Sequence, residues 1–412
     1  MNQFLTTDWL SMKALRLLVN QLAISNYMNT SWNSEFQRPF TPGETIRIEY
    51  PPMWDIRDGV AYDPQEIQEI NTTLSCDQLF GVDFQWDDVE LALKLERDDT
   101  RLNDFYMKGP MAKIAQEWDL RAALFAYQYA NQIVGVLGTN PTDFAAFGAI
   151  AEQKLFEQGC PQDGDRAMII SPGMTTSLIG GYNAVFNPTQ EISSQFKQNK
   201  IGLQAGFNYE KSMSLRTHTN GTIAGAFTVA GANQSGSSLT VNMTAGDTIT
   251  KGTKIGIASR YNVNPMTRET TTTEYTFTFT VTEDITAAGG GADVLQISPT
   301  IYGPSSPFQN ISALPGDTAT LTVMPGTAAP SAKSGKVGLA LHRDAYAKVN
   351  VPLSLPKAVE IARQSRDPKT GMSVRFTRTF DATQIRYINR FDTMGGFGVL
   401  YNNNCVVAML GA

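Results

Sequence analysis

The chain has 412 residues, 42% of them hydrophobic and 17% charged, with a net charge of −6 and a pI near 5.2. This length and composition are those of a folded protein with a sizeable core and two or three domains. The acidic balance argues against a nucleic-acid reader whose affinity comes from lysines and arginines on phosphates. No run of about 18 apolar residues occurs, so the sequence predicts no membrane span.

The first 40 residues are predicted to form an N-terminal arm. The stretch from Leu10 to Ile24 has some of the hydropathy of a signal peptide, but charged and amide residues interrupt it and it lacks a small-residue cleavage site. Its apolar residues recur at helical spacing, so we interpret it as an amphipathic helix. The segment from Asn26 to Pro39 is polar, turn-rich and dotted with aromatic residues, which is typical of an arm.

Two extended segments and a long polar loop predict a β-hairpin over residues 41–86. Apolar and charged side chains alternate from Thr45 to Tyr50, which is the pattern of a strand. Pro51 and Pro52 end this strand, and the chain from Ile70 to Trp86 is extended again. A two-stranded hairpin buries little apolar surface by itself, so it needs a further surface on which to lie.

Residues 110–136 are predicted to form one long amphipathic helix, the spine of the fold. Nine apolar residues follow helical spacing and fall on one stripe. They are Met111, Ile114, Ala115, Trp118, Ala122, Phe125, Tyr129, Ile133 and Val136. Pro110 suits the first turn, whereas Gly138 and Pro141 end the pattern. At ~1.5 Å per residue this helix would be about 40 Å long.

Helices and strands alternate in the next 80 or so residues, which indicates an α+β arrangement of layers. Hydrophobic periodicity predicts three helices, one strand and one further extended segment. The helices are expected at 144–158, 174–185 and 189–198, the strand at 167–171 and the extended segment at 201–215.

The composition changes sharply at residue 221. Residues 221–335 contain 22 threonines and only 12 charged side chains in 115 positions. From Tyr275 to Thr282 apolar residues alternate strictly with threonines, and several shorter strands with glycine-rich turns surround this one. Mixed sequence lies on both sides, so we predict an all-β domain, a barrel or a sandwich, inserted into the mixed domain.

The mixed composition resumes after residue 335 and ends in strands. Alternation predicts strands from Met372 to Thr379, from Ile385 to Asp392 and from Phe397 to Tyr401. The polar residues 402–404 predict a turn, and the apolar run after them predicts a final buried strand.

No group of residues has the spacing of a catalytic, cofactor or metal site, so we assign none and expect no enzyme. His218 and His342 flank the β segment and would meet only if its ends do; two imidazoles alone make no zinc site. The three cysteines lie far apart, and the acidic pairs at 87–88 and 98–99 are ordinary surface charge. The glycines at 395–398 are interpreted as a turn, not as a phosphate-binding loop.

Residues 338–347, with the sequence Gly-Leu-Ala-Leu-His-Arg-Asp-Ala-Tyr-Ala, are similar to a stretch of the major capsid (coat) proteins of tailed bacteriophages. The similarity is to the short-tailed-phage type, which carries an inserted β domain. Residues 202–215 and 381–410 also resemble these proteins, and the order of predicted parts agrees along the whole chain. The resemblance implies an α+β subunit with the capsid fold known from phage Hong Kong ninety-seven and an inserted, barrel-like all-β domain.

That fold implies seven segments. They are an N-terminal arm (1–40), an extended hairpin loop (41–86), a peripheral domain with the spine helix (87–160), a first axial part (161–220), the inserted β domain (221–335), a second axial part (336–395) and C-terminal strands that return to the peripheral domain (396–412).

The resemblance also implies function and partners. Copies of the chain are expected to form hexamers and pentamers that close into an icosahedral shell around double-stranded DNA, without sequence-specific binding. A scaffolding protein, a portal protein at one vertex and a decoration protein are the other expected partners, and no cofactor or membrane is expected. Assembly would take place in the host bacterial cytoplasm, and the mature location would be the virion.

One loop departs from these relatives, which often carry a charged loop near the start of the inserted domain that meets a neighbouring capsomer. Here the corresponding residues, Ala230 to Ser238, include no charged side chain. Salt bridges at that contact would have to come from other residues, and Arg260, Arg268 and Glu269 are the candidates.

Two other functions stay open at this point. The first is another assembly protein, such as an encapsulin-like compartment or a decoration or surface-layer protein. A large β insertion would be unusual in an encapsulin. An enzyme with an added carbohydrate-binding β domain would need a cleft with converging acid and base groups, whereas the sequence offers only scattered acidic pairs.

Overall fold

The computed structural model describes residues 22–33, 45–54, 56–62, 64–65, 67, 69–87, 108–141, 144–182, 202–271, 275–288, 292–324, 332–357, 359–366 and 371–409. The helices in this part of the chain are α1 (Lys108–Tyr129), α2 (Phe144–Glu157) and α3 (Pro172–Tyr182). The strands are β1 (Thr45–Glu49), β2 (Asn71–Ser75), β3 (Gln78–Asp87), β4 (Gln132–Gly135), β5 (Arg166–Ile170), β6 (Leu203–Gln204), β7 (Phe207–Lys211), β8 (Thr217–Thr219), β9 (Thr228–Val229), β10 (Gly236–Asn242), β11 (Thr248–Ile249), β12 (Lys254–Tyr261), β13 (Thr276–Val281), β14 (Ile285–Thr286), β15 (Ala292–Ile301), β16 (Leu321–Val323), β17 (Ser334–His342), β18 (Tyr346–Val351), β19 (Ile361–Arg366), β20 (Ser373–Asp381), β21 (Arg386–Val399) and β22 (Cys405–Met409).

The chain divides into two compact units. Unit 1 comprises residues 1–48, 72–122 and 346–399, and unit 2 comprises residues 49–71, 123–345 and 400–412. Strands far outnumber helices in the described parts of both units. None of the helices in the described ranges combines the length and the hydropathy that a membrane crossing requires.

Unit 1 is built around β21, a 14-residue strand with neighbours along both of its edges. On one edge, β20 pairs with the first half of β21 and β18 pairs with the second half. β19 extends the sheet beyond β20 on this side. On the other edge, β3 pairs with ten consecutive residues of β21. All these pairings are antiparallel, so side chains alternate between a polar face and a face that carries Phe84, Phe376 and Phe391.

The core of unit 1 forms where α1 packs on this sheet at Trp118. The indole is fully buried, and its ring centroid lies 5.1 Å from that of Phe80 and 5.6 Å from that of Phe397. Gly395 makes this packing possible, because a Cβ at that position would overlap both the indole and the carbonyl oxygen of Val349. A glycine inside a strand is typical of such a close approach.

Unit 2 contains a seven-stranded mixed sheet in the order β4–β22–β17–β5–β7–β6, with β8 paired to the start of β17. The C-terminal strand β22 lies between β17, to which it is antiparallel, and β4, to which it is parallel. The inner strands are nearly continuous apolar runs, as expected of strands that are covered on both faces. Phe147, Ala151 and Leu155 of α2 pack in one cluster with Met168 and Ile170 of β5.

Residues 228–323 of unit 2 hold a second sheet of six antiparallel strands, in the order β16–β12–β13–β15–β10–β9. The two ends of this order approach each other, because Thr228 forms a bridge with Thr320 and the Val229 amide donates to the Ala319 carbonyl at 2.9 Å. A cluster of buried apolar side chains from these strands forms a core of its own, which includes the apolar half of the alternating strand β13.

Many predicted elements occur at or near the expected positions. The helix predicted at 144–158 is α2, the strand predicted at 167–171 is β5, and the final buried strand is β22. The alternation from Tyr275 to Thr282 corresponds to β13, and the strand predicted from Met372 is β20.

The predicted spine helix is too long. α1 ends at Tyr129 rather than at Val136, and Ile133 and Val134 lie instead in β4, which pairs with β22. Ile133 fits the helical stripe, but both residues are β-branched and a distant strand offers them a hydrogen-bonded ladder. Local periodicity does not reveal such a partner.

The hairpin predicted over residues 41–86 is also shorter than expected. Only β1 and β2 form the two-stranded sheet, whereas β3 belongs to the larger sheet of unit 1, where β21 provides a ten-residue partner. The strands predicted at 385–392 and 397–401 are the single strand β21. Gly395 and Gly396 therefore lie inside a strand and not in a turn, and the backbone of Ser75 occupies the space where a Gly396 side chain would be.

Several predictions concern residues outside the described ranges. They are most of the N-terminal helix, the helix at 189–198, the end of the helix predicted to reach Val185, and the acidic pair at 98–99. The predicted end of the N-terminal helix is described, and it is not helical: Leu22 to Ile24 are irregular and a short 3-10 turn, Ser25–Tyr27, follows. The reason is that the backbone amides here bind a carboxylate instead of helical carbonyls.

Candidate assembly interface

Strands β1 and β2 form the stem of a hairpin whose loop, residues 50–70, presents large apolar side chains to solvent. Five such side chains are more than half exposed in the described part of this loop. They are Trp54 (57%), Ile56 (95%), Val60 (97%), Tyr62 (87%) and Ile67 (63%). Single exposed apolar residues are ordinary, but a concentration of them on one segment marks a surface that another molecule covers.

The tip of this loop is held by its own polar contacts. The Arg57 guanidinium donates hydrogen bonds to the carbonyl oxygens of Val60, at 2.9 Å, and Ala61. Gly59 has φ +86°, a left-handed conformation that glycine adopts without strain. These contacts give the tip a defined turn and leave the Val60 side chain facing solvent.

The base of the loop is anchored by Tyr50. Its backbone amide donates to the Ile70 carbonyl at 2.9 Å, and its phenolic hydroxyl donates to the Leu400 carbonyl. Its ring packs edge-on against Tyr401, with 5.5 Å between the centroids. The loop thus has a fixed base and an exposed apolar tip, which is the arrangement expected of an arm that binds another molecule.

A second candidate surface is the N-terminal segment, which Asp119 of α1 holds in unit 1. The Asp119 carboxylate accepts hydrogen bonds from the backbone amides of Ala23 (2.7 Å), Ile24 (3.2 Å) and Ser25 (3.0 Å). Burial raises the pKa of Asp119, and the three amide donors counteract that shift only in part. A single carboxylate therefore fixes the point at which the arm joins unit 1.

The rest of the described arm runs along the outer edge of β18. The Asn29 amide donates to the Tyr346 carbonyl at 2.9 Å, and the Lys348 amide donates to the Asn29 carbonyl at 2.8 Å. Further along, the Asn350 amide donates to Oδ1 of Asn33 at 3.0 Å. The arm thereby satisfies part of a strand edge that would otherwise be open to pairing with another chain.

The two histidines do not form a joint site. The ends of the β segment do meet, because β8 pairs with the start of β17 and places His218 opposite Gly335. His342, however, lies at the other end of β17, seven residues further on, which corresponds to roughly 23 Å along a strand. His218 contacts Thr253 Oγ1 at 3.4 Å, and burial lowers the pKa of its imidazole to about 4.

His342 is buried and forms an ordinary polar pair with the exposed Asp163. Its Nδ1 accepts the Asp344 amide at 3.2 Å, so Nε2 carries the proton and donates to the Asp163 carboxylate at 3.1 Å. The pKa of the Asp163 carboxyl is lowered, first by the Asp165 amide and then by His342. Within the described ranges no group of three or more His, Cys, Asp or Glu side chains is placed to hold a metal ion.

The two arginine candidates of the β segment are engaged inside unit 2. The Arg260 guanidinium donates to the Leu314 carbonyl at 3.0 Å, and that of Arg268 donates to the Pro307 carbonyl at 3.1 Å. The uncharged loop from Ala230 to Ser238 is held by Gln234, whose amide bonds to backbone groups on both sides of the loop. A salt bridge from these arginines to a neighbouring copy stays a prediction.

Sequence reasoning did not identify the residues that cap the end of α1. The hydroxyls of Thr280 and Thr278 donate, each at 2.6 Å, to the carbonyls of the two residues directly after α1. The Lys254 ammonium donates to Thr280 Oγ1 at 2.7 Å and to the Tyr127 carbonyl. Helix ends carry unpaired carbonyls and partial negative charge, so hydroxyls and a cation stabilise them. The sequence signal for this cap is the row of threonines on the polar side of β13, which includes Thr278 and Thr280.

The described part of the chain is mostly sheet with few helices, it holds the N-terminal segment along a strand edge, and it exposes an apolar hairpin loop. That is the construction of a structural protein that assembles with other copies.

Comparison with known proteins identifies the family. A model of the family described as P22 coat protein, gene protein 5, matches residues 86–411, which is more than three quarters of the chain. The chain therefore belongs to the P22 coat protein family. A search of curated proteins gave no match.

The solved structures to which the chain is similar come from phages. A structure from Mycobacterium phage Che8 has a TM-score of 0.50 at 13% identity, and the match covers 94% of this chain and 90% of that one. The capsid structure of cyanophage P-SCSP1u has a TM-score of 0.44 at 12% identity, with coverages of 90% and 85%. The mature capsid of bacteriophage PhiM1 gives 0.40 at 10% identity, with coverages of 89% and 82%.

The family match confirms the prediction that this chain is a phage coat protein. The chain is a structural subunit of a bacteriophage capsid, it has a phage capsid-like fold, and its place is the shell of the virion. A coat protein has a structural role, not an enzymatic one.

Proposed function

We propose that copies of this chain assemble into hexamers and pentamers that close into an icosahedral shell around double-stranded DNA. Membership of the coat protein family supports the shell. The observation that carries the mode of assembly is the hairpin loop, whose apolar side chains are exposed in the single chain. We propose that each loop lies on a neighbouring copy, which covers these side chains.

We further propose the seven-part layout of the Hong Kong ninety-seven capsid fold as the arrangement within the subunit. The hairpin is limited to β1, β2 and the loop between them, the spine helix is α1, and the other segment bounds are those given above. The hairpin loop, the helix α1 and the held N-terminal segment support this layout. The parallel pairing of β22 with β4 supports the return of the C-terminus to the segment that follows the spine helix.

The β segment is proposed to be an inserted, barrel-like domain. The separate apolar core supports this, as do the contacts between β9 and the residues before β16. The pairing of β8 with the start of β17 also supports an insertion, because the chain enters and leaves the segment on two adjacent strands.

The energetics favour the loop as an assembly element. Covering a large apolar side chain is worth about 1.5–3 kcal/mol, so five such side chains offer on the order of 10 kcal/mol for each loop. Ordering the interface and losing translational freedom offset a large part of this gain. Each contact is therefore weak enough to be reversible during assembly, while a closed shell repeats it many times.

The test is a matched pair of double variants. Ile56→Ser with Val60→Ser removes two apolar side chains from the loop, and Met213→Ser with Met266→Ser removes two similarly exposed ones elsewhere in unit 2. Each chain is expressed with its scaffolding protein, and particles are separated by sedimentation and viewed by electron microscopy. Circular dichroism and urea unfolding of the unassembled chains establish that each variant is folded.

The loop variant is expected to fold normally and to form few closed shells, whereas the methionine variant is expected to assemble like the unmodified chain. Deletion of residues 52–70 is expected to spare folding and to block assembly. Closed shells from a chain without its loop would refute the proposed role of the loop, and equal defects in the two double variants would show that exposure alone decides the result.

The other partners are also proposals. We propose a scaffolding protein during assembly, a portal protein at one vertex and a decoration protein on the outer surface, with assembly in the host bacterial cytoplasm. The net charge of −6 supports a shell that encloses DNA without holding it tightly, because an acidic wall does not recruit phosphates.

A further inference from the structure

A small polar cavity in unit 2 has no role in the proposed assembly. It has a volume of about 30 Å³ and lies between α2, β4 and the β segment. Gln132, Lys154, Asn262, Tyr275 and Thr276 contribute to its lining. None of these five side chains is a carboxylate.

Lys154 brings a positive charge to this cavity. Its ammonium group donates to the Ile133 carbonyl at 2.7 Å and lies 4.2 Å from the centroid of the Tyr275 ring. In the described part of the chain it forms no ion pair. Burial lowers the pKa of Lys154 to about 8, and the carboxylate of Glu157 offsets this shift only in part. The charge is thus poorly compensated by the protein itself.

Two buried amide side chains line the cavity, and the amide nitrogen of Gln132 has no hydrogen-bond partner among the described residues. Gln132 is 3% exposed and Asn262 is 6% exposed, and the Nε2 of Gln132 is fully enclosed. A buried polar group without a partner costs about 1–3 kcal/mol, so native proteins satisfy nearly all of them with protein groups, water or ions. An unsatisfied amide donor beside a buried cation points to a ligand that accepts hydrogen bonds.

We propose that this cavity binds one small monovalent anion of about the size of chloride. The anion would accept hydrogen bonds from the Lys154 ammonium and from the amides of Gln132 and Asn262, and it would neutralise the buried charge. The volume accommodates one such ion, whereas phosphate or sulfate with its hydrogen-bonding shell needs more room. The bound anion would join α2 to the β segment and make the stability of the subunit depend on halide concentration.

The direct test is the line width of the chloride-35 NMR signal with the full unassembled chain in solution. Exchange of chloride with a protein site broadens this signal. The unmodified chain is expected to cause excess broadening that added bromide displaces, and Lys154→Met is expected to lose it. Lys333→Met is the control, because Lys333 is an exposed lysine of the same unit.

Thermal unfolding gives a second readout that does not depend on exchange rates. Chloride is varied at constant ionic strength, with gluconate as the bulky replacement. Each tenfold rise in chloride above its dissociation constant is expected to raise the midpoint by roughly 1–3 °C in the unmodified chain. If Lys154→Met does not fold, Gln132→Met takes its place, and its chloride dependence is expected to be clearly smaller.

No excess broadening in the unmodified chain, together with the same midpoint in chloride and in gluconate, would overturn the proposal and assign the cavity to water. Broadening that Lys154→Met leaves intact would also overturn it, because the anion would then lie elsewhere. Neither readout involves assembly, so the outcome is independent of the proposed function.

Discussion

Replacement of Trp118 by alanine tests the description of unit 1 most sharply. The indole is fully buried between α1 and the sheet, in contact with the Phe80 and Phe397 rings. Its Nε1 has no hydrogen-bond partner in the described structure, so the substitution removes packing and no hydrogen bond. The effect should therefore follow the loss of buried apolar volume alone.

The magnitude follows from that burial. Truncation of a buried tryptophan to alanine costs about 3–5 kcal/mol, because transfer energy is lost and the cavity closes only in part. The two aromatic contacts of Trp118 place the expected value near the upper half of that range. Trp118→Phe keeps one ring in the same space and is expected to cost less, about 1–2 kcal/mol.

The assay is urea unfolding of the unassembled chain, followed by circular dichroism so that the signal does not depend on the substituted tryptophan. Trp54→Ala is the matched control, because Trp54 lies in the exposed loop and its loss should change the free energy of unfolding by no more than about 0.5 kcal/mol. The reasoning is refuted if Trp118→Ala costs less than about 1 kcal/mol, or if the Trp54 control costs as much as the Trp118 variant.

Three further predictions use the same measurement. Gly395→Ala should destabilise the chain by about 1–3 kcal/mol or more, because the new Cβ would overlap the Val349 carbonyl and the Trp118 indole. An unchanged free energy of unfolding would show that β21 can move away from these groups. Thr280→Val should lower the free energy of unfolding by about 1–3 kcal/mol, because the Ala130 carbonyl after α1 loses its hydrogen-bond donor. Thr286→Val, at an exposed position, is the control and should leave the free energy of unfolding unchanged. Equal effects of the two substitutions would argue against the cap. Burial lowers the pKa of His218 to about 4 in the folded chain, so the unfolded chain takes up a proton at higher pH than the folded chain does. The free energy of unfolding should therefore fall by about 2 kcal/mol between pH 7 and pH 5. His218→Gln should flatten this pH dependence, and an unchanged slope would exclude the imidazole as its source.

The elements that the sequence predicts well are those whose signal is local. Strict alternation identifies β13 because one side of the strand faces an apolar core and the other does not. Apolar residues at helical spacing identify α1 and place Trp118 on its buried stripe. The final strand β22 is visible as a short apolar run after a polar turn.

The features that the sequence does not predict depend on distant partners. α1 stops at Tyr129 because β22, almost 280 residues later, pairs with the residues beyond it. Gly395 is interpreted as a turn because its real reason, the approach of an indole from α1, lies far away in the chain. Asp119 is an ordinary helical carboxylate in the sequence, and only the fold brings three arm amides to it.

The candidate interface shows the same division. The sequence predicts a hairpin with too little core to stand alone, and this much follows from alternation and prolines. It does not predict which loop residues face solvent, because Trp54, Ile56 and Val60 would equally suit a buried segment. The sequence contains no recognisable catalytic or metal motif, so the functional prediction depends on the resemblance to phage coat proteins in the last third of the chain. The family match confirms that prediction.

The central claim is that copies of this coat protein form closed shells through the exposed hairpin loop. Electron microscopy of the full chain expressed with its scaffolding protein tests that claim most directly. We expect closed shells of uniform size with five-fold and six-fold clusters of subunits. Folded chains that stay dispersed as monomers in the presence of the scaffolding protein would contradict the claim.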